Sequence, residues 1–285
     1  METKQRIRLV ALDLDGTLLN EKGQVSGRTA GVLNQAIDAG LEPVICTGRC
    51  LPEIQFVFEA VPRIRYAICV SGAYIWDNAL QRCLTSYVIP TEVCKKAMDL
   101  GKNEDAMLHL LSLKSAAQND QMEHMERYGM GHAKQAFRST ATGAEDIRAE
   151  FDASPYPVNK LNYFCPNPAT RDRIRACMEA EQLPLELVNA DSTSLECSPI
   201  GITKGTALLE LCCVLCLDAE ETAAVGDSNN DLAVLKTVGL PIAMGNANEQ
   251  VKAVCRHTTS DNRHDGCAEA IEWILSLQPE QKTKN

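Results

Sequence analysis

Within the first 72 residues, three short apolar runs each stop on polar or glycine residues: Ile7–Leu12 before Asp13–Gly16, Val44–Cys46 before Thr47–Arg49, and Tyr66–Val70 before Ser71–Gly72. Between the first two runs lies a segment of helical period. Its apolar positions Val32, Leu33, Ala36 and Ile37 share one face, Ser26 is placed to cap its start, and Gly40 follows its end. Alternation of this kind predicts βαβ units around a parallel sheet. In such a sheet, ligands bind outside the carboxyl ends of the strands, so the three stops are expected to converge on one crevice.

The middle of the chain, from about Leu84 to Pro199, changes character. Amphipathic helices dominate, a long polar stretch runs from Gln118 to Glu150, and the expected strands Val158–Cys165 and Leu185–Leu195 flank a helix near Ala169–Gln182. After Thr203 the alternation resumes, with a helix through Cys216, a strand at Thr222–Val225, a helix from about Asn230 and a strand at Ile242–Met244. A chain of 285 residues suits two domains at a prior of roughly 150 residues each. The expected fold is therefore α/β: a three-layer Rossmann-like core with a parallel sheet, built from residues 1–83 and 200–285, plus an inserted α+β cap domain at 84–199. The tail after Pro279 reads as disordered.

Chemistry concentrates where the runs stop. In Asp13-Leu14-Asp15-Gly16-Thr17, two carboxylates two residues apart would repel each other in a dry core, so they share a cation or work in solvent. One can attack an electrophile while the other moves a proton, and Gly16 lets the backbone turn sharply beside a ligand. Taken alone, the pentapeptide also reads as an ordinary Asp-Gly turn. A second acidic cluster, Gly226-Asp227-Ser228-Asn229-Asn230-Asp231, follows another apolar strand. Asp227 and Asp231 face one volume if a helix starts near Asn229. Their oxygens suit Mg²⁺ better than Zn²⁺, because no His or Cys accompanies them. An acidic helix cap explains one such residue more comfortably than two clusters. Thr47-Gly48-Arg49 offers a hydroxyl and backbone N–H donors, for phosphate oxygens or for a plain cap. Lys204, beside Gly205, reads either as a solvated lysine or as a fixed charge neutralising a transferred phosphate.

Composition closes other routes. With 28 Lys and Arg against 38 Asp and Glu, the net charge is −10, which excludes a generic nucleic-acid binder. Thirteen cysteines without a second paired motif form neither a disulfide framework nor a four-ligand zinc site, and read as reduced thiols of a cytoplasmic protein. No apolar run approaches the ~20 residues that span a bilayer. The few apolar residues before Asp13 are too short for a signal-peptide core. Nothing in the sequence sets the oligomeric state.

The order of these elements resembles the haloacid dehalogenase-like superfamily, in its Cof-type phosphatase branch with a type IIB cap. The resemblance rests on DLDGTL (Asp13–Leu18), TGR (Thr47–Arg49), ITKGTAL (Ile202–Leu208), GDSNND (Gly226–Asp231), AMGNA (Ala243–Ala247) and DGCA (Asp265–Ala268), and it covers nearly the whole chain. Ser71 departs from the Asn that usually precedes Gly-Ala in the family. By this resemblance Asp13 is the nucleophile that forms an aspartyl phosphate, and Asp15 protonates the leaving oxygen and then activates water. An acid at position 15 points to phosphatases and phosphomutases within the superfamily. The resemblance further implies Mg²⁺ held by the Asp13 carboxylate, the Asp15 carbonyl and Asp227, with Asp231 orienting the shell and Ser228 nearby. Leu14, Thr47, Gly48, Lys204 and Asn230 would hold the phosphoryl oxygens. The implied activity is Mg²⁺-dependent hydrolysis of small phosphorylated metabolites, sugar phosphates foremost. A phosphomutase of the phosphomannomutase type and a noncatalytic metabolite sensor are the rival readings.

Other residues invite plainer expectations. Cys213 and Cys216 form a CxxC in the apolar run Leu208–Leu217, where packing is the expected role. His109, His124, His132, His257 and His264 show no ligand-type spacing, and His264 is of interest only because it adjoins Asp265-Gly266. Met122–Met130 reads as an exposed cap element, with a mobile loop or a partly buried helix as the alternative. The cap is where selectivity is expected to reside, with Arg127, Arg138 and Lys160 as candidates for contact with a polar substrate.

Overall fold

The structure is a computed structural model that describes residues 6–131, 134–190 and 192–278. The expected disorder after Pro279, and His132, lie outside the described residues. Fourteen strands are described: β1 (Leu9–Leu12), β2 (Glu42–Cys46), β3 (Tyr66–Cys69), β4 (Tyr74–Asp77), β5 (Arg82–Ser86), β6 (Met107–Leu111), β7 (Ser115–Gln118), β8 (Ala141–Ala144), β9 (Lys160–Phe164), β10 (Leu185–Asn189), β11 (Ser194–Pro199), β12 (Thr222–Gly226), β13 (Leu240–Ala243) and β14 (His257–Thr258). They form an eight-stranded sheet, ordered β14-β13-β12-β1-β2-β3-β4-β5, and a six-stranded sheet, ordered β10-β11-β9-β6-β7-β8.

The chain forms two compact units. One contains residues 6–48, 56–84 and 203–278, and the other contains 49–55 and 85–202. In the first unit, β14 through β3 pair in parallel and β4 turns back antiparallel. Strands β1, β3, β12 and β13 are buried along their whole length, which is why they read as continuous apolar runs rather than alternating ones. The expected helix forms over Gly27–Asp38. The Ser26 hydroxyl accepts from the Thr29 amide at 3.0 Å, and Gly40 takes φ +80° just past the end. Its face of Val32, Leu33 and Ala36 is buried, and the helix packs against another at Gly266–Leu277.

The second unit is an α+β layer whose strands pair antiparallel, apart from the parallel β7–β8 pair. One face of its sheet buries Leu110, Leu161, Tyr163 and Leu195 in a core shared with Met98, Phe151 and Ile174. A smaller cluster joins Met107, Ala117, Met122, Met125, Tyr128 and Phe137. Of the two readings of Met122–Met130, the partly buried helical one agrees with the structure: its helical turns supply Met122, Met125 and Tyr128 to that cluster. The expected strand at Leu185–Leu195 is instead two strands, β10 and β11, paired antiparallel as a hairpin. Segment 49–55, expected within residues 1–83, belongs with the second unit, where the Glu53 carboxylate accepts from Ser115 at 3.2 Å.

The CxxC does not pack as expected. The helix Lys204–Leu215 buries Ala207, Leu208, Leu211 and Cys212, leaving Cys213 on the opposite face, and Cys216 caps the helix at φ +53°. Both thiols are exposed and free. No helix among the described residues is long and apolar enough to cross a membrane.

Candidate active site

The adjacent parallel strands β1 and β12 deliver Asp13 and Asp227 side by side, because Leu12 registers against Val225 and the Asp13 amide donates to the Val225 carbonyl at 3.1 Å. Directly after Asp13 the chain makes a single irregular helical turn, Leu14–Leu18, with Asp15 extended and exposed and Gly16 at φ +79°. Gly16 is required twice over. A Cβ there would also lie 2.5 Å from an Asp227 carboxylate oxygen. Gly16→Ala is therefore expected to destabilise the protein by about 1–3 kcal/mol, the scale of a side chain forced into a conformation it cannot adopt. Thermal melting measures this, and an unchanged melting temperature would refute the contact.

Lys204 enters from the first turn of its helix, which Thr203 caps. Its backbone is pinned from the other side, since a Cβ on Gly72 would stand 2.2 Å from the Thr203 carbonyl oxygen. The Lys204 ammonium is almost wholly buried and donates to Asp13 Oδ1 at 2.5 Å and Asp231 Oδ1 at 2.6 Å. The other Asp231 oxygen accepts from the backbone amides of Asp227 (3.1 Å) and Ser228 (3.2 Å). Both Asp231 oxygens are thereby engaged by the protein itself, fixing Lys204 and the 227–228 loop together. The Asp227 carboxylate accepts from Thr17 at 3.2 Å and from the Asn246 side chain at 3.3 Å.

Burial dominates the electrostatics. It pushes the Asp13 carboxyl well above its ordinary range, opposed by Lys204 and reinforced by Asp231 and Asp227. Asp227 rises from 3.8 to about 6, through burial and then the Asp231 charge. Burial works against the Lys204 ammonium, but Asp13 and Asp231 more than offset it and push its pKa above the usual lysine range. The neighbouring Cys46 thiol is pushed up to about 12 by burial, so it stays protonated and inert.

Asp13, Asp227 and Asp231 each offer an oxygen within 4.8 Å of the others. Three carboxylates gathered this closely, with no His or Cys among them, fit a hard divalent cation such as Mg²⁺. The sign of the linkage follows. Carboxyls whose folded pKa is raised leave their stability intact at or below pH 3.8 and lose it as pH climbs to about 6 and beyond. The rise in melting temperature on replacing chelator with Mg²⁺ should therefore be larger at pH 8 than at pH 5. An equal rise at both values would show that these acids do not bind the ion.

Of the remaining expected site residues, Thr47 is buried at the end of β2, but its N–H donates to the Ile68 carbonyl at 2.8 Å. The sheet thus consumes the Thr47 amide, so of the backbone donors expected from Thr47-Gly48-Arg49 this one serves the fold. The Thr47 carbonyl in turn accepts from Ser71, which sits at φ +58° after Val70 at φ +52°. Ser228 donates its hydroxyl to the exposed Asn230 side chain at 2.6 Å. Leu14 is buried behind Asp13. Asn246 was not singled out in the sequence, although it lies in the quoted AMGNA segment. Its amide bridges the Gly16 carbonyl (2.9 Å) and Asp227, tying the two acidic loops. Arg127, a candidate for substrate contact, is ion-paired to Asp105.

A lysine-bridged acidic cluster lies at the carboxyl ends of parallel strands, the arrangement of an α/β enzyme site. The family model of haloacid dehalogenase-like hydrolases matches residues 10–271, and the chain belongs to that family. It is 28% identical over 273 residues to a 5-amino-6-(5-phospho-D-ribitylamino)uracil phosphatase of Bacillus subtilis (strain 168), covering 94% of this chain and 96% of the relative. It is 25% identical to a pyridoxal phosphate phosphatase of Escherichia coli (strain K12), over 93% and 97% of the two chains. Among solved structures, a haloacid dehalogenase-like hydrolase from Bacteroides thetaiotaomicron superposes with a TM-score of 0.82 at 25% identity, over 94% of this chain and all of that one. Within the family the chain falls with the Cof-type phosphatases.

Proposed function

We propose that this protein is a Mg²⁺-dependent phosphatase of small phosphorylated metabolites, sugar phosphates foremost, working through an aspartyl-phosphate intermediate on Asp13. The observation that carries the reading is the buried Lys204 ammonium bridging Asp13 and Asp231, with the Asp227 carboxylate alongside. A site of clustered acids repels a phosphomonoester dianion unless fixed positive charge offsets them, and phosphoryl transfer depends chiefly on such neutralisation and on in-line placement. The names of the relatives, which act on a phosphoribityl compound and on pyridoxal phosphate, support a phosphorylated metabolite as substrate.

In the first step an Asp13 oxygen attacks phosphorus, the bond from phosphorus to the ester oxygen breaks, and Asp15 delivers a proton to the departing alkoxide. In the second, Asp15 as carboxylate takes a proton from water, whose oxygen attacks the aspartyl phosphate and releases inorganic phosphate and Asp13. The exposure of Asp15 suits this exchange of protons with solvent. Lys204, the Thr47 hydroxyl, and the Leu14, Gly48 and Asn230 groups are assigned to the phosphoryl oxygens. Asp13, the Asp15 carbonyl and Asp227 are assigned to Mg²⁺, with Asp231 and Ser228 holding that loop in place. Mg²⁺, when bound, supplies charge neutralisation of the phosphoryl group and of the acids. The core is assigned to residues 1–83 and 200–285 and the inserted α+β domain to 84–199, with segment 49–55 joining the latter.

A phosphate-release screen across sugar phosphates, nucleotides and pyridoxal phosphate tests the reading. Release that requires Mg²⁺ and stops in chelator is expected. Chelator-resistant hydrolysis, or isomerised sugar phosphate without free phosphate, would overturn it.

A further inference from the structure

Cys213 and Cys216 are left without a role by both the site and the core. Of the thirteen cysteines, eight are buried, Cys83 and Cys255 are half-buried, and Cys177, Cys213 and Cys216 are exposed. Two of the three exposed thiols thus fall within a single turn of chain. Packing in this segment is carried by Ala207, Leu208, Leu211 and Cys212, which lie on the buried face of the helix Lys204–Leu215. Cys213 shares the exposed face with Leu209 and Val214.

The backbone holds the two thiols within reach of one another. The helix runs through Leu215, and residues three apart in an α-helix have Cα atoms about 5 Å apart, given its radius and rise. Disulfides join Cα atoms roughly 4.4–6.8 Å apart, so the pair meets that requirement. The Cys216 amide closes the turn by donating to the carbonyls of Cys212 and Cys213, the latter at 3.3 Å. Cys216 then leaves the helix at φ +53° with its thiol exposed. The other cysteines offer little competition. Burial pushes the thiols of Cys46, Cys94, Cys165 and Cys267 up to about 12 and that of the adjacent Cys212 up to about 11. Exchange proceeds through the thiolate and needs access, so these stay out of it. Cys177 is exposed on the helix Pro168–Ala180, which carries no other cysteine, and it serves as an internal comparison.

We propose that Cys213 and Cys216 form a dithiol modification site that accepts a disulfide bond from low-molecular-weight disulfides such as glutathione disulfide. One thiol of the pair, as thiolate, attacks a sulfur of glutathione disulfide. That S–S bond breaks, and one glutathione leaves as thiolate and takes up a proton. The second protein thiol gives its proton to solvent, attacks the protein sulfur of the mixed disulfide and expels the other glutathione. Two protein thiols are thereby oxidised to one disulfide, and one disulfide is reduced to two glutathiones. Cys213 lies about 14 Å along the helix axis from Lys204, and the inference stands independently of the phosphatase reading.

The test uses the full chain, fully reduced and then equilibrated with glutathione and its disulfide at a fixed ratio. Samples are quenched in acid, alkylated and mapped by peptide mass spectrometry. The peptide with Cys213 and Cys216 is expected to lose two hydrogens and to carry no glutathione, whereas Cys177 carries one. Closure of the pair releases two glutathiones and modification of Cys177 releases one. Diluting both glutathione species about tenfold at constant ratio should therefore raise the disulfide-to-dithiol ratio of the pair by the same factor and leave Cys177 unchanged. A pair that stays reduced, glutathione retained on Cys213 or Cys216, a link to Cys212, or a ratio that does not move on dilution overturns the proposal. Cys213→Ser and Cys216→Ser, with folding verified by melting temperature, should each trap one glutathione on the remaining thiol, because no second thiol resolves it. A remaining thiol that takes no glutathione overturns the exchange step, and the wild-type dilution series decides the matter should either variant fail to fold.

Discussion

Asp13→Asn is expected to abolish steady-state phosphate release, a loss of roughly 10⁴–10⁶-fold, the scale at which removing a covalent nucleophile leaves only binding and electrostatic stabilisation. The carboxamide has the shape of the carboxylate but cannot form the acyl phosphate. The fold should survive the change, because Lys204 keeps its contact with Asp231 at 2.6 Å and one of three crowded acids becomes neutral. The variant in chelator should therefore melt no lower than the wild type at neutral pH, while the wild type loses stability to the raised Asp13 and Asp227 carboxyls. Rapid acid quench with phosphorus-labelled substrate should trap label on the wild type and none on the variant. Retained turnover with an intact melting curve would remove Asp13 as the nucleophile. Asp15→Asn should cost on the order of 10²-fold with an alkyl phosphate, the usual scale of general acid–base catalysis. It should cost less with p-nitrophenyl phosphate, whose leaving group needs no proton.

The site was more legible than the unit inserted beside it, and the reasons are physical. Asp13, Thr47 and Asp227 each follow a strand buried on both faces, so an apolar run ends abruptly at the residue that faces the crevice. Lys204 was ambiguous alone, and only its position relative to the other segments made it a site residue. Asn246 was hidden for the opposite reason: its contacts, the Gly16 carbonyl and the Asp227 carboxylate, lie far away in sequence and leave no local pattern. Likewise, no spacing rule reveals that the Thr47 amide is spent on the Ile68 carbonyl, since that depends on the β2–β3 register.

In the second unit, strand β6 (MLHLL) is buried on both faces, so it lacks the period-two alternation that marks a half-exposed strand. β7, its neighbour, and β8 beyond it border or lie within the polar stretch that runs from Gln118, and their small residues carry little strand signal. The same two-sided burial accounts for His109, which looked like an isolated histidine in sequence. Its partners Ser115 and Glu53 come from β7 and from a segment 56 residues earlier that the sequence assigned to the other domain.

Lys204→Met should be the most destabilising single change at this site, by about 3–5 kcal/mol, the cost of breaking a buried ion pair by removing one partner. Methionine fills much of the space but leaves Asp13 and Asp231, both buried, without the ammonium that both contact. The consequence is tied to pH. With the ammonium gone, the Asp13 carboxyl is pushed further toward its neutral form, and a neutral carboxyl needs no counter-charge. The stability difference between variant and wild type should shrink toward pH 4 and widen as pH rises through neutrality, because the charged forms become obligatory as protons grow scarce. Mg²⁺ should recover part of the loss, since Asp13 and Asp227 would hold it, while Asp231, already committed to the 227–228 amides, would gain less. Urea denaturation at pH 4.5 and 8, with chelator and with Mg²⁺, separates these contributions. A deficit of the same size at both pH values would mean that the loss comes from packing, and that Lys204 is not held in place by the two acids. On the proposed mechanism activity should fall with it, because the ammonium would be the fixed charge that lets a phosphate dianion approach acids the protein has gathered in one place.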